Sequence, residues 1–169
     1  SLETRLSEVL GQVPVAIAYL EGKDHRFKYV NELYVRAAGR SHADLLMGLP
    51  IREAFKELEG SGIFELLDEV YRTGSPFSGR DYKVSLYQAA TGTREDRYFD
   101  FTYHPISSEK AGVEGIFVLA VDLTDRVVSR RELEESEERL RLAQSHLQFR
   151  QLAEQLIDIR EKFVERRIE

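Results

Sequence analysis

The 169-residue chain has no cysteine and no tryptophan. Without cysteine there are no disulfides, no thiolate zinc or iron–sulfur sites, and no cysteinyl bond to a chromophore. Without tryptophan the common flavin-stacking platform is missing, although Tyr or Phe can substitute. Long apolar runs are lacking too. Nothing approaches the ~20 residues needed to cross a bilayer, and nothing reads as a signal peptide. The expectation is a cytoplasmic chain that makes no membrane contact, and Ser1, which is not a natural start, suggests a piece of something larger. A basic excess is also absent. The net charge is −6, with 14 Lys and Arg against 19 Asp and Glu in residues 1–124, and 10 against 11 in residues 125–169. Neutralising phosphates needs the opposite balance, so nucleic acid is not an expected partner.

Proline and glycine stop early. Pro105 and Gly115 are the last of each, so the final 54 residues contain neither, and 15 of the 17 Phe and Tyr residues precede Asp125. Two parts follow: an aromatic-rich domain over 1–124, long enough to bury a core, and a helix over 125–169.

Within the first part, Leu2, Leu6, Val9 and Leu10 share one face of a short helix that Gly11 ends. Val15–Leu20 and Phe27–Val30 read as strands around a Glu21–Asp24 turn. Asn31 is a good N-cap for a short helix with Leu33, Tyr34, Ala37 and Ala38 on one side. Three helical pieces are then expected: one capped by Ser41 and running from His42 to Met47, one over Ile51–Leu58 after Pro50, and a longer one after Ser61. Gly74 and Pro76 stop the last, whose apolar face is Ile63, Phe64, Leu67, Val70 and Tyr71. Three strands close the domain. Tyr82–Tyr87 is followed by Arg97–His104, which alternates at period two with Phe99, Phe101 and Tyr103 on one face. Gly115–Val121 is a nearly continuous apolar run, expected in the sheet centre and buried on both sides. Helices inserted into an antiparallel meander give an α+β fold.

Four patterns carry a resemblance across about residues 3–126: Phe27-Lys-Tyr-Val-Asn31, Gly48-Leu-Pro-Ile-Arg-Glu-Ala-Phe55, Arg97-Tyr-Phe-Asp-Phe-Thr-Tyr-His-Pro105 and Gly115-Ile-Phe-Val-Leu-Ala-Val-Asp-Leu-Thr124. In this order the chain resembles the PAS domain family, and the last two patterns look like closing strands of PAS modules in bacterial sensor histidine kinases. The resemblance implies a five-stranded antiparallel sheet with helices on one face of an apolar pocket. Asp122-Leu-Thr124 matches the family's junction between sheet and signalling helix, which makes Asp122, Thr124 and Arg126 candidate transmission residues, with Arg126 as a charge partner for Asp122. Family members sense small molecules, redox state or light, or only dimerise, and the fold does not choose among these.

The residues narrow the chemistry. Flavin-adduct and cinnamoyl photosensors of the family need a cysteine. Haem-binding members usually supply a histidine from the long helix, and Ser61–Thr73 has none. His104 alternates with Tyr103 and reads as a polar surface residue. The four histidines are far apart, so no metal site is expected. No nucleophile-and-base set and no phosphate loop is present, so catalysis by this chain is not expected. Family members that bind dicarboxylates or citrate do so with basic residues, for which Arg40, Arg52 and Arg80 are the candidates here; for each the plain reading is surface charge. The pocket candidates are aromatic: Tyr29, Tyr34, Phe55, Phe64, Tyr71, Phe101, Tyr103 and Phe117. Either they simply fill the core or they surround an unknown small apolar or aromatic ligand; no cofactor is expected.

Residues 125–169 would span about 67 Å as one helix. Leu142, Phe149, Leu156 and Phe163 recur every seven, with Leu152 and Ile159 between them. Leu133, Leu140 and Leu147 also recur every seven, two residues out of phase, so the heptad breaks near 140–149. One narrow stripe is buried best by pairing. The expectation is a homodimer through a coiled coil that signals to an output domain outside this sequence, a histidine kinase of the two-component type. A ligand-free dimerisation or docking module is the alternative.

Overall fold

The computed structural model describes Thr4, Arg5, Glu8 and residues 15–168. Thr4, Arg5 and Glu8 are helical; the rest of the expected Leu2–Leu10 helix lies outside the described residues. The chain divides into two units, Ser1–Asp125 and Arg126–Glu169.

In the first unit the elements run β1 (Ala16–Glu21), β2 (Arg26–Val30), α1 (Glu32–Ala37), α2 (Ile51–Ala54), α3 (Ile63–Thr73), β3 (Phe77–Gln88), β4 (Thr93–Ser108) and β5 (Gly112–Asp122). The strands form one antiparallel sheet in the order β2-β1-β5-β4-β3. This is an α+β fold, with the long closing meander and the central β5 that the alternating pattern of Arg97–His104 and the apolar run of Gly115–Val121 predict. All three closing strands extend well beyond the apolar cores of those patterns, because the polar ends keep their ladder bonds.

Asn31 does more than cap α1. Its Oδ1 accepts from the N–H groups of Tyr34 and Ile17, both at 2.9 Å, and its Nδ2 donates to Val15 O at 2.9 Å. One amide therefore ties the first strand to the first helix. Gly39 follows at φ +75°, and a Cβ there would meet Tyr87 O at 2.6 Å. Glycine is required twice over at this position.

The helical block departs from expectation. The piece expected to start at a Ser41 cap is only a 3-10 turn over Ala43–Leu45, and the flanking residue at its start is His42, with no side-chain cap. The Ile51–Leu58 helix breaks at Phe55, leaving α2 and a second 3-10 turn over Lys56–Leu58. Tertiary hydrogen bonds hold these short pieces: Ile51 N–H donates to His25 O and Phe27 N–H to Leu49 O. Only α3 is a full helix, ended as expected by Gly74 in the left-handed region.

The core lies between the sheet and these helices, with Phe27, Phe64, Leu20, Leu46, Leu67 and Ile116 among the most deeply buried side chains. β5 is not buried on both faces. Ile116, Val118 and Ala120 face this core, whereas Leu119 is 39 % exposed and Phe117 and Val121 are half-buried. A central position protects the backbone of a strand, but the second face needs its own cover.

The closing helix, α4 (Thr124–Ile168), begins in the last two residues of the first unit and makes up the described residues of the second. Among the described residues no helix is long and apolar enough to cross a membrane.

Candidate ligand cavity and strand–helix junction

A cavity of about 90 Å³ lies between the sheet and the helical block. Four of the aromatic candidates line it: Tyr34 from α1, Phe55 after α2, and Phe101 and Tyr103 from β4. The period-two pattern of β4 puts its two on one face, where their rings meet at 4.7 Å. Gly79 on β3 is the neighbour that makes room, since a Cβ there would meet the Phe101 ring at 2.5 Å.

The other four candidates lie elsewhere. Phe64 is buried in the core but does not reach the cavity. Tyr71 packs edge-on against His25, with ring centroids 5.8 Å apart. Phe117 and Tyr29 are on the opposite sheet face. Both sit opposite Tyr19 in the ladder, Phe117 with its ring 4.9 Å away, while Ala18 and Leu20 on either side of Tyr19 point into the core. Directly opposed residues share a face. Sequence reasoning missed Tyr82, whose hydroxyl donates to Ser61 O at 3.0 Å beside the cavity. The remaining lining comes from Ala, Val, Leu and Ile side chains and Phe99, with no charged residue among them.

The polar ends of Tyr34 and Tyr103 set the cavity's chemistry. Tyr34 is half-buried and Tyr103 is buried, both on the cavity wall, and neither hydroxyl forms a hydrogen bond among the described residues. Burial raises both phenols far above the ordinary value; the Arg40 charge opposes this slightly at Tyr34, while Tyr34 and Tyr82 add to it at Tyr103. Both remain neutral donors at any physiological pH.

The three arginines considered as anion ligands have other placements. Arg40 donates to Tyr87 O at 2.9 Å, Ala54 O at 2.8 Å, Ala38 O at 3.3 Å and Glu57 Oε1 at 2.9 Å, and lies over the Phe55 ring at 4.5 Å. It closes the wall behind Phe55 instead of facing a ligand. Arg52 bonds Asp68 at 2.7 Å, and Arg80 is exposed.

His25 gave no signal in the sequence. It sits in the β1–β2 turn at φ 54°, fully buried, with Nε2 2.7 Å from Asp68 Oδ1. His104 and His42 are exposed, and among the described residues no group of three His, Asp or Glu is placed to hold a metal.

At the end of β5, Asp122 Oδ1 accepts from the Thr124 N–H at 2.9 Å and from the Thr124 hydroxyl. Thr124 Oγ1 in turn accepts from the Tyr98 N–H at 3.0 Å, and Leu123 N–H donates to Tyr98 O at 2.8 Å. The charge partner of Asp122 is Arg97, at 3.6 Å, rather than Arg126. The junction is therefore fastened to β4.

On α4 the side chains expected to form a seam are exposed to solvent. Leu133, Leu140, Leu142, Leu147, Phe149, Leu152, Leu156, Ile159 and Phe163 are all exposed, Phe149 at 71 %.

A sequence profile of the family described as PAS fold matches residues 10–128. Among solved structures, the PAS domain of BvgS from Bordetella pertussis is 20 % identical, with a TM-score of 0.54 over 81 % of this chain and 97 % of that one. A PAS domain from Colwellia psychrerythraea is 13 % identical, with a TM-score of 0.55 over 74 % and 99 %. The PAS domain of histidine kinase ThkA is 21 % identical, with a TM-score of 0.50 over 64 % and 98 %. At these identities the likeness shows the fold.

Proposed function

The chain belongs to the PAS fold family, and from that premise we propose that it is a sensory module that passes its signal through paired α4 helices to an output domain, a histidine kinase. The sensed change arises at the cavity, and β4 carries it, since Phe101 and Tyr103 line the cavity and Tyr98 on the same strand holds Leu123 and Thr124. The observation that carries the reading is this continuous path from cavity wall to helix start. The exposed heptad positions of α4 supply the reason to pair. Burying a Leu or Phe side chain contributes about 1.5–3 kcal/mol, and one helix alone leaves its stripe in water. Phosphotransfer would belong to the output domain, and the module itself would be cytoplasmic.

Analytical ultracentrifugation tests the pairing. The 169-residue chain is expected to dimerise, and a chain ending at Thr124 to associate at least tenfold more weakly. Equal dissociation constants would refute a helix-driven dimer. A second reading, a dimerisation module that takes no ligand, is favoured by one observation, the small size of the cavity relative to the ~300 Å³ or more of most ligand sites.

A further inference from the structure

We propose that the cavity takes a small neutral molecule of about four or five heavy atoms, apolar at one end and carrying a hydrogen-bond acceptor that the hydroxyls of Tyr34 and Tyr103 bind. This rests on the sensory reading of the same cavity.

Size sets the first limit. An apolar cavity of about 150 Å³ takes benzene or xenon, and this one is about 90 Å³. Flavins, haems and other ring cofactors are far too large. Charge sets the second. The lining has no charged side chain. The nearby guanidinium of Arg40 is committed to Glu57 and three carbonyls. A carboxylate guest would be buried without a counter-charge, which costs more than so small a guest recovers. Hydrogen bonding sets the third. Two phenols on the cavity wall, neither with a hydrogen bond from its hydroxyl among the described residues, each hold a donor that a guest can engage. A hydrocarbon leaves both unmet; a ketone or similar acceptor engages them.

Methyl NMR of Ile51, Leu58, Val84 and Val118, which line the cavity, reads the test on the whole chain. Three probes are titrated: butan-2-one, propanoate as a carboxylate of equal heavy-atom count, and xenon. Butan-2-one should shift these methyls saturably, with a dissociation constant on the order of millimolar, and propanoate should not. Tyr34→Phe and Tyr103→Phe should each weaken butan-2-one roughly three- to tenfold and leave xenon unchanged. Propanoate binding as tightly as the ketone overturns the neutral class. Unchanged ketone affinity in both Phe variants overturns the role of the hydroxyls. Xenon entering without the ketone overturns the ligand class and leaves the sensory reading standing. If neither enters, both fail, and the ligand-free module remains.

Discussion

The guanidinium of Arg40 bonds four oxygens from three separate stretches of chain, at Ala38, at Ala54 and Glu57, and at Tyr87. Glu57 completes the set by accepting the Tyr87 N–H through its other carboxylate oxygen at 2.9 Å. The side chains of the pair are 11 % and 10 % exposed, so this is an enclosed ion pair rather than a surface one. Burial pushes the Glu57 carboxyl up, but the bonds from Arg40 and Tyr87 and the Arg40 charge outweigh it and hold the carboxyl below its usual range. A depressed folded value stabilises the fold above the unfolded carboxyl value of ~4.3, and the gain is lost as pH falls through the folded value. Glu57→Gln is therefore expected to cost about 2 kcal/mol at neutral pH, below the figure for a wholly enclosed pair because water still reaches part of the carboxylate. In urea unfolding, the gap from wild type should narrow as pH falls through the depressed folded value of Glu57. A gap that stays constant with pH would mean that the charge is irrelevant. None of this was legible in the sequence. Arg40 and Glu57 are 17 residues apart, and nothing local marks them as partners. His25 and Asp68 were hidden in the same way.

Among the elements, legibility followed how locally each is determined. β4 and α3 were readable because their burial repeats at the period of their own backbone. The cavity wall from β4 was readable for the same reason. The pieces around Ala43–Leu45 and Lys56–Leu58 were not, because short 3-10 turns survive on bonds from distant strands, such as Gly48 N–H to Phe27 O. Faces were harder than elements. Phe117 and Tyr29 have the composition of core residues but the wrong parity, and parity shows only once the strand register is known. At the β5–α4 junction the helix starts at Thr124. There Asp122 accepts two bonds from Thr124 while Thr124 holds Tyr98. Asp122→Ala should cost about 1 kcal/mol, the scale of a lost cap, while Asp122→Asn, which keeps an acceptor oxygen, should recover most of it. Thermal unfolding of the two variants checks this. In a full-length parent, Asp122→Ala should also change output strongly while the domain stays folded; global unfolding would make the junction structural first.

For the whole molecule the question is what a small domain gains from a 45-residue helix with two registers of exposed apolar side chains. Leu133, Leu140 and Leu147 define one stripe; Leu142, Phe149, Leu156 and Phe163 define another, two residues out of phase. A straight pair cannot bury both with one winding, because successive residues turn by about 100°. On the proposed pairing, α4 would have two competing registers, and a sensor would need to bias one by only a few kcal/mol to change the populated state. Rotation is the coordinate that separates them. Each residue inserted between Arg131 and Leu140 turns everything downstream by about 100° around the helix axis, and seven return it to within about 20° of the start. In a full-length parent, insertions of one to seven residues should give output activity that varies with position and recovers at seven. A steady decline with insertion length and no recovery at seven would exclude rotation and leave α4 as a tether.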